Sequence, residues 1–335
     1  MFTMQRAVDY AIALTALLFL NFMLPRLLPG DPLQAIYGDE ALMTMTPAMK
    51  TELIHRFSLD QTWAEQLLAY LQALLRADLG YSYFYHAPVA GVIAGILPWT
   101  LLLTGLAFVL STVFGSLLGI ESGYKRGRKT DGLLVGIMLF ISGFPDFFVG
   151  MLLLLAFGVW LAWLPLAGAL TPYSGYTGWQ LAGDILRHLL LPLAALVLVR
   201  LTVAFLFSRG AMVSVMSEPF ILTARGKGVP DVIIRYRHAA RAALLPVVTA
   251  AGLSFAHVIS GVLLIETVFS YPGLGSLLYK AVLTRDYPLL QGILLLVAVL
   301  VLLINFASDL MCIRLDPRTS PLAATVRRNK HAYPV

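Results

Sequence analysis

Long uncharged apolar blocks, separated by short polar segments, run through most of this chain. A helix needs about 20 apolar residues to cross a bilayer core of about 30 Å, and several blocks are long enough. The pattern therefore predicts an all-α, polytopic membrane protein with about six transmembrane helices. The predicted spans are Tyr10–Leu28, Leu97–Ile120, Gly132–Leu161, Leu189–Phe207, Pro246–Phe269 and Leu289–Met311.

The third predicted span contains the break "GFPDFF". Pro145 in this break has no N–H to donate, and its ring clashes with the preceding helical turn. The block is also longer than one crossing requires, and such a block is accommodated by tilting or by a kink. We therefore expect the third span to be tilted or split at Pro145.

The basic residues predict how these spans are oriented. If the N-terminus lies in the cytoplasm, most lysines and arginines fall on the inner segments and few on the outer ones. Cytoplasmic loops of membrane proteins carry such an excess. We therefore predict that both termini are cytoplasmic. The same excess accounts for the net charge of +6 without a nucleic-acid partner.

This orientation divides the chain into four predicted regions. They are the N-terminal end with the first span (1–28), an extracytoplasmic segment (29–96), a transmembrane core (97–314) and a basic cytoplasmic tail (315–335). No small-residue cleavage site follows the first span, so we interpret it as a retained signal anchor. Apolar residues at helical spacing within 53–80 predict one or two amphipathic helices in the extracytoplasmic segment.

Motifs of catalysis and of nucleotide binding are absent from the sequence. The patterns G-x-x-x-x-G-K-[ST], H-E-x-x-H and G-x-S-x-G do not occur. The six histidines are scattered and there is one cysteine, which predicts no metal site and no catalytic residue. We expect a membrane pathway that is not an enzyme and needs no cofactor. Such a pathway either conducts passively or receives energy from a partner.

Few ionisable residues lie within the predicted spans. Asp146, Arg200 and Glu266 are the candidates for a translocation path, because charged residues inside a membrane pair with one another or mark a transport route. A proton-coupled carrier keeps such groups near the midplane, and only the two acids fit that role. For Arg200 we favour a structural pairing with one of these acids or with backbone carbonyls.

A basic stretch interrupts the apolar pattern between predicted spans four and five. In "MSEPFILTARGKGVPDVIIRYRHAARAALLPV", Glu218 before Pro219 is typical of a helix start. Gly226 and Gly228, with a proline soon after, are expected to end this helix. Asp231 is expected to cap a second helix. The sequence therefore predicts two short helices joined by a glycine turn.

Three interpretations of this stretch stay open on physical grounds. In the first, the stretch lies on anionic lipid, where each basic residue contributes about 1 kcal/mol of binding free energy. In the second, it satisfies the positive-inside rule and has no further role. In the third, it inserts apolar side chains into a groove on a cytoplasmic partner. A helix held by charge alone needs no sharp turn, whereas a rigid protruding element does, so the glycine turn favours docking.

The stretch resembles the EAA loop of ABC importer permeases, and more narrowly that of the peptide/nickel family of dipeptide and oligopeptide B-type subunits. The family pattern Y-x-x-T-A-x-A-K-G…H-x-x-R-x-x-x-x-P is matched by Phe220, Thr223, Ala224, Arg225, Lys227, Gly228, His238, Arg241 and Pro246. Gly226 replaces the usual alanine, and Pro219 stands where an acid is common. The resemblance continues in "LLPGDP", "FSLDQ", "ADLGYSY", "LPWTLLLT", "ETVFSYPGLGSLL", "RDYPLLQG" and "LDPR", and so covers nearly the whole chain.

The resemblance implies a permease subunit of an ATP-driven importer in the cytoplasmic membrane of a bacterium or archaeon. The implied partners are a second, homologous permease subunit in a heterodimer, two cytoplasmic ABC ATPase subunits and an extracytoplasmic substrate-binding protein. Loop 218–241 would contain the coupling helix that seats on an ATPase. Its implied coupling residues are Glu218, Phe220, Thr223, Ala224, Arg225, Lys227, Gly228, His238 and Arg241.

The resemblance also implies where substrate enters and what it is. Segment 29–96 and "YPGLGS" would form the outer face that receives the binding protein. The family transports di- and oligopeptides, nickel and related metal chelates. Two other functions remain as alternatives: a stand-alone proton-coupled or passive transporter, and an export permease with the same loop.

Overall fold

A computed structural model of the chain describes residues 2–27, 33, 37–38, 42–56, 60–244, 247 and 262–315. Its elements in chain order are α1 (Phe2–Leu27), α2 (Pro47–Arg56), α3 (Trp63–Leu75), an antiparallel hairpin of β1 (Tyr81–Ser82) and β2 (Ala87–Pro88), α4 (Val89–Tyr124), α5 (Lys129–Ser142), α6 (Asp146–Leu153) with a π-helical continuation (Leu154–Trp160), α7 (Gly178–Val215), α8 (Pro219–Gly226), α9 (Asp231–Ile233) with a π-helical continuation (Ile234–Ala239), α10 (Leu274–Leu283) and α11 (Tyr287–Leu315).

Three of these helices are long and apolar enough to cross a membrane: α4, α7 and Tyr287–Ala307 of α11. The whole helices α4, α7 and α11 contain the predicted second, fourth and sixth spans, and each begins before the predicted start. α4 begins at Val89 because "VAGVIAGI" is apolar and uncharged, and Pro98 is accommodated inside the helix. High hydropathy marks the lipid-facing part of a helix, and each of these helices extends beyond that part.

The third predicted span is split. α5 ends at Ser142, and α6 begins at Asp146 with Pro145 as its N-cap. The two helices are bent by 96° at this break, so they count as one further crossing only if the bent pair is a single span. The proline break therefore produces a sharp turn in place of a tilt.

The first and fifth predicted spans are described in part. α1 contains the apolar segment Val8–Leu24, which begins two residues before the predicted first span and overlaps most of it. Most of the fifth span lies outside the described residues, since 245–246 and 248–261 are among those not described, and 262–268 are helical. Residues 316–335 of the predicted tail also lie outside them. The total of six spans therefore stays a prediction.

The chain divides into two compact units, Met1–Thr100 with Gly273–Leu302 (unit 1) and Leu101–Pro272 with Leu303–Val335 (unit 2). In unit 1, the first turns of α4 pack against α10 and α11. A Cβ on Gly292 would lie 2.5 Å from Val89 Cγ1 and 3.3 Å from Ile93 Cδ1, so a glycine is required for this approach. The buried apolar residues of the cluster are Val89, Ile93, Leu274, Leu277, Ala281, Leu289, Leu290 and Ile293.

Helices α2 and α3 confirm the helical segments predicted between the first two spans. α3 begins with a capping box, in which Thr62 Oγ1 accepts from Glu65 N–H and Glu65 Oε2 accepts from Thr62 N–H at 2.9 Å. In the same unit, Asn21 Nδ2 of α1 donates to Tyr70 Oη of α3 and to Gln291 O of α11, both at 3.0 Å. A polar side chain in an apolar helix needs such partners, so Asn21 fixes the position of α1.

Unit 2 is built on a close contact between α4 and α7. Gly115, Gly119 and Gly123 recur every four residues and therefore share one face of α4. A Cβ on Gly119 would lie 2.4 Å from Phe205 O of α7, which is far inside van der Waals contact. Small residues at this spacing let two helix backbones approach in a membrane. No larger side chain fits here unless the two helices separate.

The C-terminal end of α4, the start of α5 and the end of α7 are joined by one buried carboxylate. Asp131, which is 4% exposed, accepts two hydrogen bonds from Arg209, Nε at 2.7 Å and Nη2 at 2.9 Å. Ser122 Oγ donates to it at 2.6 Å and Gly127 N–H at 3.0 Å. Bidentate pairs of this kind are among the strongest polar contacts in proteins, so Asp131 fixes these helix ends.

We predict that Gly119→Ala lowers the free energy of unfolding by about 2 kcal/mol, because the added methyl overpacks the contact between α4 and α7. Gly136→Ala in α5 is the matched control, since a Cβ there meets nothing within 4 Å. The control should stabilise the protein by up to about 1 kcal/mol, the usual gain for alanine over glycine in a helix. Unfolding of the purified protein in detergent measures both. Equal effects would contradict the close contact.

We also predict that Asp131→Asn lowers the free energy of unfolding by about 3 kcal/mol, because it leaves the Arg209 charge without its carboxylate. Asp60→Asn is the control. Asp60 pairs with His55 at 2.7 Å, but both side chains are exposed, and such a pair contributes about 1 kcal/mol or less. The same unfolding assay compares the two, and a similar small loss in both variants would show that Asp131 does not join the helix ends.

Candidate coupling loop

The candidate coupling loop (residues 218–241) follows α7 and begins with the short helix α8. Glu218 is the N-cap of α8, with extended backbone angles (φ −72°, ψ 144°) but no hydrogen bond from its side chain to the helix. Pro219 occupies the first helical position, where its fixed φ suits the helix and its missing N–H costs nothing. Thr223 Oγ1 donates back to Pro219 O at 3.0 Å. The helix start predicted at Pro219 is confirmed.

A glycine turn ends α8. Gly228 has φ +73°, its N–H donates to Arg225 O at 2.9 Å, and Val229 N–H donates to Ala224 O at 3.2 Å. This pair of bonds around a left-handed residue is the Schellman motif. Gly226, expected to share this role, is instead the last residue of α8 and is not among the residues with positive φ. Gly228 alone forms the left-handed cap.

The second arm of the loop begins at α9. Pro230 is the N-cap, and Asp231, predicted as the cap, is the first helical residue. The proline explains the shift by one residue, since its backbone angles (φ −56°, ψ 141°) already suit the capping position. The helix then widens into the π-helical stretch Ile234–Ala239, a form that occurs often at functional sites.

The inner side of the loop is apolar and packs on the ends of α4 and α7. Ile221 of α8 and Ile234 of the second arm are both fully buried. The buried residues of this cluster are Ile120, Met212, Ile221, Ile234, Ala239, Ala240 and Ala243. Burying a whole isoleucine side chain contributes roughly 1.5–3 kcal/mol, so the two isoleucines hold both arms in place.

The outer side of the loop carries most of the predicted coupling residues. Phe220 is 45% exposed, and the neighbouring Leu222 and Val232 are 60% and 63% exposed. Ala224 is half-buried. The other predicted coupling residues are all exposed: Glu218, Thr223, Arg225, Lys227, Gly228, His238 and Arg241. The fold thus presents apolar knobs and basic side chains together.

An acid that no sequence pattern predicted holds this loop in place. Glu121, near the end of α4, accepts from Arg235 Nη1 at 3.0 Å and 2.8 Å and from Tyr236 Oη at 3.1 Å. Burial opposes the charge of Arg235, but its bonds to Tyr236 and Glu121 outweigh this and raise the pKa of the guanidinium. The partners lie more than a hundred residues apart in sequence, so the one available signal was an acid inside the basic segment "ESGYKRGRK".

The candidate path residues are partly brought together. Arg200 Nη2 of α7 donates to Asp146 Oδ2, at the start of α6, at 3.0 Å, which is the structural pairing that we favoured for Arg200. Glu266 is fully buried within the helical stretch 262–268, and its carbonyl accepts from Tyr271 N–H at 2.8 Å. In the part of the chain that the structure describes, no group of three His, Cys, Asp or Glu side chains could hold a metal ion.

Comparison with known proteins places this chain in a family. The family described as "Binding-protein-dependent transport system inner membrane component" matches residues 111–321. The di/tripeptide transport system permease protein DppB of Pseudomonas aeruginosa (strain UCBPP-PA14) is 35% identical over 89% of this chain and 92% of its own length. The glutathione transport system permease protein GsiC of Escherichia coli O6:H1 (strain CFT073) is 34% identical over 89% and 92%.

Solved structures agree on the fold. An inward-facing form of the MetNI methionine ABC transporter matches with a TM-score of 0.56 at 16% identity, over 67% of this chain and 96% of that one. An amino acid ABC transporter matches with a TM-score of 0.50 at 15% identity. At such identity the likeness concerns the fold alone. The family match and the high-coverage relatives are decisive: the chain belongs to the binding-protein-dependent transport system inner membrane components, as a multi-pass bacterial membrane permease of the ABC importer type.

Proposed function

We propose that this chain is one of two homologous permease subunits that import peptides, driven by two cytoplasmic ABC ATPases and supplied by an extracytoplasmic binding protein. The observation that carries the proposal is the exposed, rigidly capped loop. The sequence has no nucleotide-binding motif of its own. A partner protein must therefore supply the energy, and it needs a surface of this chain to bind. Both termini and the loop then lie in the cytoplasm, as the excess of basic residues indicates.

The loop supports docking through its apolar knobs. Phe220 and Leu222 on α8 and Val232 on the second arm stand out from the surface while Ile221 and Ile234 anchor the loop beneath them. An apolar helix face that enters a groove is a common mode of protein recognition, and aromatic anchors carry much of the energy of such interfaces. We propose that Phe220 is the central contact and that the exposed basic residues orient the loop on an acidic groove.

Peptides are the substrate class that the relatives support best. The two relatives described above are named for di/tripeptides and for glutathione, and neither is named for nickel. We propose Asp146, Arg200 and Glu266 as the ionisable residues nearest to the translocation path. The bond between Asp146 and Arg200 compensates both charges, so this part of the path presents a neutral pair to a passing peptide.

Reconstitution tests the proposal as a whole. The chain, its partner permease and the two ATPases are placed in liposomes with the binding protein outside, and uptake of labelled di- and tripeptides is followed. We expect uptake that requires ATP and the binding protein. Peptide transport by this chain alone, or ATP-driven export, would contradict the proposal, and uptake of nickel in place of peptides would overturn its substrate class.

Gly228→Val tests the loop. Valine is β-branched and cannot adopt φ +73° without strain, at a cost of about 1–2 kcal/mol, so we expect ATP hydrolysis to continue while peptide uptake per ATP falls. Gly226→Val is the matched control, because Gly226 is also exposed, an added Cβ there would meet nothing within 4 Å, and it lies in the helix without a positive φ. Uptake per ATP in the complete transporter is the measurement. An unchanged ratio for Gly228→Val would show that the turn does not couple.

A further inference from the structure

The two arms of the candidate coupling loop are fastened in different ways. The first arm, α8, is held by the buried Ile221, and its basic residues Arg225 and Lys227 are exposed. The second arm is held by charge as well, through Arg235. Within the described ranges, no ion pair joins the other basic residues of the loop, which are Arg225, Lys227, Arg237, His238 and Arg241. Arg235 therefore faces the helices of its own chain, while the others face outward.

Glu121 and Arg235 form a clamp with two tyrosines. Both carboxylate oxygens of Glu121 accept from one nitrogen of Arg235, and Tyr236 Oη adds a third bond. The guanidinium carbon of Arg235 lies 4.1 Å from the ring centre of Tyr124 and 5.6 Å from that of Tyr236. Lys125 Nζ contacts the same carboxylate at 2.7 Å. One side chain of the second arm is thus fixed in position and orientation by the last turn of α4.

Stability alone is a weak explanation for this arrangement. The Arg235 and Glu121 side chains are 17% and 26% exposed, and a partly exposed ion pair contributes about 1 kcal/mol or less. The inner apolar cluster of the loop already supplies more than that. The clamp also fixes the orientation of the Arg235 side chain, because a planar guanidinium held by a carboxylate and stacked on a ring cannot rotate freely.

The last turn of α4 is also locked to α7. A Cβ on Gly123 would lie 2.8 Å from Arg209 O and 2.8 Å from Met212 Cβ, so the two backbones touch within two residues of Glu121. Arg209 is in turn held by Asp131. A displacement of the second arm is therefore passed through the clamp to α4 and, at the same level, to α7.

We infer that Glu121 is a positioning residue for energy coupling: through Arg235 it makes the end of α4 the receiver of the loop's movement. This inference rests on the proposed function, in which the loop is moved by an ATPase. Glu121 touches neither nucleotide nor peptide in this role. It keeps α4, α7 and the second arm together as one body while an ATPase binds the outer side of the loop.

The test uses the complete transporter in liposomes and compares Glu121→Gln, Arg235→Gln and the double variant. Each single variant should lower the number of peptides moved per ATP by about tenfold, within the range of coupling energies in proteins, while ATP hydrolysis continues. Since both residues act as one clamp, the double variant should lose no more than either single one. Arg126→Gln is the control, since Arg126 lies exposed in the turn that follows α4, and it should keep the full ratio.

Several results would overturn the inference. One is that Glu121→Gln moves as many peptides per ATP as Arg126→Gln does. Another is that the losses of the two single variants multiply in the double variant. Tyr236→Phe removes one hydrogen bond and keeps the ring, so it should assemble and show a smaller fall. If it and Glu121→Gln both failed to assemble, the clamp would be a requirement for folding and not for coupling. If Gly228→Val uncoupled transport while Glu121→Gln coupled normally, the inferred role of Glu121 would be wrong and the proposed function would still stand.

Discussion

The contact between the backbones of α4 and α7 is the constraint on which the rest of unit 2 depends. Three glycines, Gly115, Gly119 and Gly123, leave no room for any side chain between the helices. Lipid tails are as apolar as leucine, so helices in a membrane gain little by burying apolar surface and associate through close packing. The glycine face turns two long helices into one rigid pair, and that pair determines where the candidate coupling loop can lie.

Polar contacts add to the glycine contact at the ends of the pair. Asp131 joins the ends of α4 and α7 to α5, and Glu121 joins α4 to the loop. Each acid has several donors, as it must in a protein with few charges, because an unpaired charge near hydrocarbon is costly. The loop is consequently held by apolar packing below and by one clamp at its second arm, and its remaining basic residues are free to meet a partner.

The sequence predicted features that depend on neighbouring residues. Pro219 at a helix start, Gly228 in a left-handed turn and the break at Pro145 each follow from the conformational limits of one residue. Helix ends were predicted less well, because hydropathy reports the lipid-facing part of α4 and not its first turns from Val89. The clamp and the Asp131 site were missed altogether. Their partners lie 114 and 78 residues away, and no local pattern specifies which distant base an acid will meet.

We expect α4, α7 and the second arm of the loop to move as one body. Spin labels at Arg126→Cys, just after α4, and Arg237→Cys, exposed on the second arm, test this in a Cys312→Ser background that removes the one native cysteine. Pulsed electron resonance measures their separation in the complete transporter before and after ATP closes the ATPases. We expect an unchanged distance between the two labels. A change larger than about 2 Å, the scale of helix shifts in switching proteins, would contradict it.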